Sequence, residues 1–356
     1  MKASAHPPKR LLVAASGTGG HLFPAIATAE YLDHYQIEWL GVPERLENHL
    51  VPQHYPLHIV DVEGFQQKGL ANLGVLAGLI HGVWQVRQIL QRGQFQGVFT
   101  TGGYISAPAI LAARWLGLPV ILHESNVLPG KVTKFLSRWC DIVALGFSAT
   151  AQYLPHARKT VTVGTPVRAD FLSEVPALPL PIPADAAVIV VVGGSQGAVS
   201  VNQLVRQAAP QWFEQGAWVV HLTGTHDPDR DTLKHPQYLE MAFFDQMAAL
   251  FRRADLVISR SGAGTLTELA MTHTPSILIP YPYAAEDHQT YNARAFTDVG
   301  AAVLLPQDGL TAELLADKVL YLFQAPEYLE QMAQAAGSLA VVDSAIQLAN
   351  LIQQTI

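Results

Sequence analysis

The chain has 356 residues, 49% of them hydrophobic, which is enough for a large core and favours two domains over one. Its single cysteine, Cys140, excludes an internal disulfide, and no Cys/His cluster suggests structural zinc, so a reducing compartment is expected. The net charge of −7 argues against nucleic-acid binding. No apolar run reaches the roughly 18 residues of a spanning helix, so any membrane contact is expected to be peripheral.

Short apolar runs alternate with glycine-rich turns and helix-like segments, a pattern typical of parallel sheets with crossover helices. Alternating prolines at 175–183 fit neither a helix nor a central strand and predict a linker. Each half opens with strand, glycine turn and helix. We therefore expect an α/β protein with two doubly wound Rossmann-like domains, 1–168 and 169–356, facing across a cleft. The predicted strands are 10–15, 36–41, 97–101, 118–123, 141–145, 160–163, 187–192, 217–222, 255–259, 275–279 and 301–305.

The first glycine loop, residues 17–20, follows the first predicted strand and precedes a helix, so its backbone can approach an anion closely. It is a weak dinucleotide signal, because Leu22 replaces the third glycine of the fingerprint and Glu38 lies inside a strand. A dinucleotide oxidoreductase is therefore a minor alternative. His21, at the helix start, is a candidate general base. The alternative is a histidine that only orders the loop.

A helix over 73–90 would carry two apolar stripes, one of which can serve the core. The other suggests an interfacial surface on an anionic bilayer, because Lys68 and Arg87 flank it. The alternative is a helix buried on both sides. The charge supports the first interpretation: residues 1–168 hold 14 Lys and Arg against 9 Asp and Glu, net +5, whereas residues 169–356 are net −12. The two stripes are Leu73, Leu76, Ala77, Ile80 and Trp84, and Val75, Leu79, Val83, Val86 and Leu90.

Two glycine-rich loops of the second half are candidate nucleotide sites. Residues 193–198 offer backbone N–H groups and the Ser195 hydroxyl, unless they form only a tight turn. In residues 259–268, Thr265 is placed to cap a helix, whose positive N-terminus can offset a diphosphate without a metal. Glu268 can accept hydrogen bonds from a ribose diol, or is simply an acidic first-turn residue.

Two polar segments complete the candidate site. Residues 227–231 contain acid pairs that could hold a divalent metal, but we favour a solvated turn and expect no metal. The loop at 280–289 ends in Asp287-His288-Gln289 and suits sugar hydroxyls.

Six motifs stand in order along residues 10–350: Gly17-Thr18-Gly19-Gly20-His21 with Pro24-Ala25, Thr101-Gly102-Gly103-Tyr104, His123-Glu124-Ser125-Asn126, Gly193-Gly194-Ser195-Gln196-Gly197, Ser259-Arg260-Ser261-Gly262-Ala263 and Asp287-His288-Gln289. Each is common alone, but in this order they resemble the MurG family, the N-acetylglucosaminyltransferases that convert lipid I to lipid II in peptidoglycan synthesis. Two positions depart from the usual family pattern, namely Thr165 before Pro166 and Ser125 before Asn126.

The resemblance implies a GT-B fold and an inverting transfer without a cofactor, in which the acceptor 4-hydroxyl attacks, His21 is the candidate base and UDP leaves. It implies a peripheral enzyme at the cytoplasmic face of the plasma membrane. Its partners would be UDP-N-acetylglucosamine, undecaprenyl-linked lipid I and anionic lipid, with no nucleic acid. The first domain would take the lipid acceptor, through Thr18, Gly19, Gly20, Asn126 and Arg168. The second would hold the nucleotide sugar, through Ser195, Phe244, Ala263, Gly264, Thr265, Leu266, Thr267, Glu268 and Gln289.

Three alternatives stay open on the sequence. Another lipid glycosyltransferase of the same fold would share the UDP site and the membrane surface. A UDP-N-acetylglucosamine epimerase would not need that surface. A catalytically silent UDP-sugar-binding protein would show no turnover.

Overall fold

The computed structural model describes residues 8–51, 55–62, 71–173, 178–194 and 197–356, without the side chains of 71–75. The chain divides into two compact units. The first unit comprises Met1–Arg168 and Asp343–Ile356, and the second comprises Ala169–Val342.

The described residues form strands and helices that alternate along most of the chain. The strands are β1 (Lys9–Ala14), β2 (Tyr35–Gly41), β3 (Leu57–Ile59), β4 (Gly97–Thr100), β5 (Val120–Glu124), β6 (Ile142–Leu145), β7 (Thr160–Thr162), β8 (Val188–Val192), β9 (Trp218–Leu222), β10 (Tyr238–Met241), β11 (Leu256–Ser259), β12 (Ser276–Leu278) and β13 (Ala302–Leu304). The helices are α1 (Gly19–Ala29), α2 (Glu47–Leu50), α3 (Ala71–Arg92), α4 (Ser106–Trp115), α5 (Lys131–Leu136), α6 (Val199–Phe213), α7 (Met247–Arg253), α8 (Ala263–Met271), α9 (His288–Thr297), α10 (Ala312–Phe323), α11 (Pro326–Ser338) and α12 (Ser344–Thr355).

The first unit is built on a parallel sheet in the order β3-β2-β1-β4-β5-β6-β7. Its central strands are apolar runs buried on both faces, as expected where helices cover both sides of a parallel sheet. One face packs against α3 and α4, through residues such as Val86 and Ile110. The other packs against α1 and α12, through residues such as Leu22 and Leu348.

The last helix corrects the expected domain boundary. The sequence pattern predicts that all of 169–356 lies in the second domain, but α12 belongs to the first unit. The physical reason is its apolar face: Leu348 and Ile352 are fully buried in one cluster with Leu11 and Val13 of β1. The division after Arg168 falls where the sequence analysis placed it.

The second unit has a parallel sheet in the order β10-β9-β8-β11-β12-β13. Helices α6 and α10 contact each other over one face of the sheet, where Trp212 and Leu315 are fully buried with Ile189 and Ile258. The α/β class with two doubly wound sheets is therefore confirmed. All eleven predicted strands are present, whereas β3 and β10 were not predicted.

Each sheet has a point where the strand order reverses, between β1 and β4 in the first unit and between β8 and β11 in the second. Parallel open sheets bind ligands beyond the carboxyl ends of the strands at such a switch point. The described residues of the loops that follow these four strands are 15–18, 101–105, 193–194 with 197–198, and 260–262, and they include most of the predicted motifs.

Candidate active site

His21 lies in the first turn of α1, at the switch point of the first unit. Its Nδ1 is 2.8 Å from the carbonyl oxygen of Thr101, and the Thr101 hydroxyl donates to the carbonyl of His21 at 2.8 Å. Because a carbonyl oxygen only accepts, Nδ1 carries the proton in the neutral ring and Nε2 keeps a lone pair. His21 therefore orders the loop. The same contact leaves Nε2 with the lone pair that a general base needs.

The loop after β4 is shaped to receive the His21 ring. Gly102 has φ +102, and a Cβ there would lie 3.1 Å from the ring Cε1. Gly103 has φ +82, and a Cβ would lie 3.3 Å from the carbonyl oxygen of Ser16. Glycine is needed at both positions for conformation and for close approach. The Thr-Gly-Gly motif thus packs against the first glycine loop.

The start of α1 also positions Arg168. Thr18 is the N-cap of α1, and its carbonyl accepts from the amides of His21 and Leu22 at 3.0 and 3.1 Å. A Cβ on Gly19 would lie 2.8 Å from the ring of Phe23. The Arg168 guanidinium lies over that ring, 4.9 Å from its centroid. Thr18, Gly19, Gly20 and Arg168 are thus brought together at one end of the helix.

The carboxyl end of β5 carries Asn126 on a buried carboxylate. One oxygen of Glu124 accepts from the backbone amide and the Nδ2 group of Asn126, at 3.1 and 3.0 Å, and the other from Gly130 N at 3.3 Å. His123 is fully buried, and burial lowers its pKa. Its Nε2 lies 2.9 Å from the Gly164 carbonyl and so donates to it.

The two departures from the family motifs are both buried. Ser125 is beside His123, with its Oγ 3.5 Å from Nδ1 of that ring. Thr165 follows the Gly164 carbonyl that His123 contacts, and a Cβ on Gly146 would lie 2.5 Å from its Oγ1. With these two residues in place, Asn126 keeps its bond to Glu124 and Arg168 its position over Phe23.

In the second unit, the loop after β8 needs its glycines for space. A Cβ on Gly193 would lie 2.5 Å from the amide nitrogen of Ala198. Gly197 has φ +75, and a Cβ there would lie 2.5 Å from the carbonyl oxygen of Thr223. The predicted ligand contact Ser195 lies outside the described residues.

Helix α8 starts earlier than the sequence analysis assumed. Its N-cap is Gly262, without a side-chain cap, so the prediction that Thr265 caps the helix is wrong. Thr265 instead lies in the first turn after Ala263 and Gly264, where backbone N–H groups lack intrahelical acceptors. Amides in this position can bind an anion, so the sequence-based expectation of an anion site at this end of α8 stays a prediction.

The other predicted side chains of α8 are oriented differently. Leu266 is fully buried in the core, so its side chain does not face a ligand. The Thr267 hydroxyl donates to the carbonyl of Ala263 at 2.9 Å. Glu268 is half-buried one turn further along. Any direct ligand contact in α8 therefore falls mainly to its first turn and to Glu268.

Arg260 is the residue whose importance the sequence analysis missed. It is only 7% exposed and follows β11, two residues before the cap of α8. Its Nη1 donates to the carbonyls of Ile279 and Pro280, at 3.0 and 2.9 Å. Its Nη2 donates to Gln307 Oε1 and Ser200 Oγ, at 2.7 and 3.2 Å. All four acceptors are neutral, and burial lowers the Arg260 pKa. A buried guanidinium held in this way favours an anionic ligand.

Gln289 is joined to the same loop. Its backbone carbonyl accepts from Ser261 Oγ at 2.8 Å, and its side-chain Oε1 accepts from the Tyr281 amide at 2.9 Å. This contact orients the amide so that Nε2 is the end left to donate to a ligand. Phe244 follows β10 and is half-buried, and its unpredicted neighbour Phe243 is 72% exposed.

The acidic segment 227–231 is not a simple solvated turn. Asp227 is buried and pairs with Arg206, and Asn202 Nδ2 donates to it at 2.8 Å. Asp231 is exposed and pairs with Lys234. Within the described part of the chain, no group of three or more His, Cys, Asp and Glu residues is arranged to hold a metal ion.

An apolar surface with cations lies on the first unit. On α3, Val86 and Leu90 are buried, whereas Leu76, Ile80 and Trp84 are exposed, so a helix buried on both sides of its unit is excluded. Trp115 and Phe135 extend the exposed set on α4 and α5. Arg87 stacks on Trp115 and Arg138 on Phe135, with guanidinium-to-centroid distances of 4.9 and 4.6 Å. We call Leu76, Ile80, Trp84, Trp115 and Phe135 the apolar surface.

Lys68, which was expected to flank this helix, and the side chains of Leu73 and Val75 lie outside the described part of the structure. Within the described residues, no helix is long and apolar enough to cross a membrane.

Comparisons with known proteins extend over nearly the whole chain. The model of the glycosyltransferase family 28 N-terminal domain matches residues 11–145, and that of the C-terminal domain matches residues 188–348. A Trichormus variabilis protein is 62% identical over 352 residues, 98% of each chain. It is named UDP-N-acetylglucosamine–N-acetylmuramyl-(pentapeptide) pyrophosphoryl-undecaprenol N-acetylglucosamine transferase.

Two solved structures resemble the chain to different degrees. The crystal structure of Acinetobacter baumannii MurG has a TM-score of 0.78 at 29% identity, covering 98% of this chain and 100% of that one. A putative UDP-N-acetylglucosamine 2-epimerase from Listeria monocytogenes has a TM-score of 0.70 at 15% identity, covering 97% and 96%. The second likeness is one of fold alone.

Proposed function

Because the chain belongs to glycosyltransferase family 28 and, within it, to the MurG N-acetylglucosaminyltransferases, we propose that it converts lipid I to lipid II. It transfers N-acetylglucosamine from its UDP conjugate to the N-acetylmuramyl-(pentapeptide) pyrophosphoryl-undecaprenol acceptor. The observation that carries this assignment is 62% identity over 98% of a transferase of that name. The reaction belongs to peptidoglycan synthesis, and through it to cell shape and division.

The second unit holds the nucleotide sugar. Arg260 and the first-turn amides of α8 supply positive charge and N–H donors for the diphosphate, without a requirement for a metal. Glu268 accepts from the ribose, and Gln289 donates through Nε2 to the sugar. The contact between Ser261 and Gln289 supports this arrangement, because it ties the expected sugar contact to the loop that starts α8.

The first unit binds the acceptor, through residues 18–20, Asn126 and Arg168. In the reaction the acceptor 4-hydroxyl oxygen forms a bond to the anomeric carbon, and the bond from that carbon to the β-phosphate oxygen breaks. UDP leaves with the electron pair, and the configuration of the carbon inverts. The hydroxyl proton passes to Nε2 of His21, the nitrogen that the Thr101 contact leaves unprotonated.

The apolar surface attaches the enzyme peripherally to the cytoplasmic face of the membrane, where the lipid acceptor is found. Exposed Ile80, Trp84 and Trp115 enter the interface, and the neighbouring arginines meet anionic headgroups. Burying one such side chain stabilises binding by about 1.5–3 kcal/mol.

Vesicle sedimentation tests the membrane surface. The double variant Ile80→Glu, Trp84→Glu should bind phosphatidylglycerol-containing vesicles at least about tenfold more weakly than the wild type. Val299→Glu changes an exposed valine of the second unit and is the matched control. Equal binding by the double variant and the control would remove this part of the proposal.

The transfer itself is tested with purified protein, UDP-N-acetylglucosamine and a lipid I analogue, with and without EDTA. The expected result is UDP release with a disaccharide-lipid product by mass spectrometry, at the same rate in EDTA. Interconversion of the UDP-sugar without an acceptor would instead support the epimerase alternative. Sugar transfer only to diacylglycerol would support the alternative of another lipid glycosyltransferase. Ligand binding without turnover would support the alternative of a catalytically silent binding protein.

A further inference from the structure

Glu47, in the short helix α2, is a fully buried carboxylate with an unusual set of partners. Its Oε1 accepts from the backbone amide of Val42 at 2.9 Å, and its Oε2 from that of Gly17 at 3.1 Å. The ion pairs of the described residues do not include Glu47. Burying a carboxylate is costly unless hydrogen bonds satisfy it, so its value lies in what those bonds hold.

The end of β2 is shaped to admit this side chain. A Cβ on Gly41 would lie 2.7 Å from Cγ of Glu47 and 3.1 Å from its Oε1. The next residue, Asn48, donates from Nδ2 to the Val42 carbonyl at 3.1 Å. The glycine in the strand and the amide contact together fix where the carboxylate points.

The group that Glu47 holds is the first glycine loop. Gly17 has φ +96 and directly precedes Thr18, the N-cap of α1. Just before the loop, the carbonyl oxygen of Ala15 accepts from the indole Nε1 of Trp39 at 2.9 Å. Both contacts come from the β2 side, whereas Thr101 holds His21 from the β4 side. The loop is therefore fixed from both of the strands that neighbour β1.

We propose that Glu47 is a positioning residue of the transfer reaction, which holds residues 17–20 and the start of α1 in the conformation that receives the lipid acceptor. The proposal rests on the proposed function for the identity of the acceptor. Glu47 does not touch the substrate, and it acts through the Gly17 amide. Both carboxylate oxygens accept from N–H groups, so glutamine cannot replace it: its NH2 group would face one of the two amides.

The test is Glu47→Gln, with Glu44→Gln as control, because Glu44 is an exposed glutamate three residues away. We expect the KM for the lipid I analogue to rise about tenfold in Glu47→Gln, with the KM for UDP-N-acetylglucosamine unchanged. A smaller folded fraction would change neither KM, so this split separates positioning from a loss of stability. An acceptor KM equal to that of Glu44→Gln would overturn the proposal.

A second variant moves the carboxylate without removing it. Gly41→Ala should displace Glu47 and raise the acceptor KM in the same direction. Backbone hydrogen exchange of peptides covering 15–22 should accelerate about tenfold in both variants, whether or not transfer is measured. If the wild type shows no transfer, the proposed function fails while exchange still decides whether Glu47 holds the loop. Unchanged exchange in both variants would overturn the positioning role.

Discussion

The two switch points share a topology but differ in their buried charge. The first unit contains the whole net-positive part of the chain, residues 1–168, yet its loops are built around the buried carboxylates Glu47 and Glu124. The second unit lies in the net-negative part, yet its loops surround the buried guanidinium of Arg260. The summed charge of a domain therefore did not predict the charge of its site, because buried groups with few counterions dominate the local field.

This difference suggests a division of labour. In the first unit, Nε2 of His21, which the Thr101 contact leaves without a proton in the neutral ring, suits a hydroxyl that must lose a proton. A guanidinium bound only to neutral acceptors, next to a helix N-terminus, suits a diphosphate. The apolar surface lies on the unit that we propose binds the lipid acceptor, which agrees with that division.

The largest effect is expected from His21→Ala. Loss of the proposed general base should lower kcat for transfer by about a hundredfold to ten-thousandfold. The Kd for UDP, measured by calorimetry, should stay unchanged because His21 belongs to the other unit. His49→Ala, at an exposed histidine of α2, is the control. A loss of UDP affinity as large as the loss of kcat would contradict the proposed division of labour between the two units.

A smaller effect, on the other substrate, is expected from Arg260→Lys. Lysine keeps the charge but cannot reproduce the fork that bonds four acceptors. We expect the UDP Kd to rise about tenfold, with the acceptor KM unchanged. The exposed Arg230→Lys should leave both constants as in the wild type. Unaltered UDP affinity in Arg260→Lys would contradict the proposal that the Arg260 guanidinium stabilises the diphosphate of UDP.

A pair of glycine variants compares the two loops directly. Gly17 and Gly197 both have positive φ, but only at Gly197 would a Cβ meet a backbone oxygen, that of Thr223 at 2.5 Å. Backbone strain alone costs about 1–3 kcal/mol. Gly17→Ala should therefore lower the chemical denaturation midpoint modestly, and Gly197→Ala should lower it more. A lower denaturation midpoint for Gly17→Ala than for Gly197→Ala would show that close backbone packing does not distinguish the two loops.

The smallest effect, about 1 kcal/mol for each pH unit, concerns the pH dependence of stability and His221. Burial, and secondarily the charge of Arg206, lowers its pKa from 6.5 to about 3. Between these values the unfolded state binds the proton and the folded state does not, so the free energy of unfolding falls as pH decreases. From pH 6 to 4 the wild type should lose about 1 kcal/mol per pH unit more than His221→Gln, measured by urea denaturation. Equal slopes would contradict this expectation.

The strands were predictable because buried parallel strands are continuous apolar runs. The two that were missed, β3 and β10, lie at sheet edges, where Leu57–Ile59 and Tyr238–Met241 are short and mostly half-buried. The assignment of α12 failed for another reason. Contiguity along the chain says nothing about a helix that returns to the first sheet, and only the buried contacts of Leu348 and Ile352 reveal it.

The candidate site was predictable where motifs mark it and not where tertiary contacts define it. His21 and Gln289 stand out in their motifs, and the structure gives both an oriented side chain. Glu47 lies in the charged segment 44–49, which looks like a solvated surface until its contact with Gly17 is seen. Arg260 belongs to a predicted motif, but its burial could not be predicted from the sequence, because it depends on contacts with Gln307 and with the carbonyls after β12.

The division of labour is tested most directly by backbone hydrogen exchange with and without saturating UDP. The account predicts slower exchange in peptides covering 188–194, 257–268 and 279–290, and unchanged exchange in peptides covering 15–22 and 101–104. Protection confined to the peptides of the first unit would contradict it.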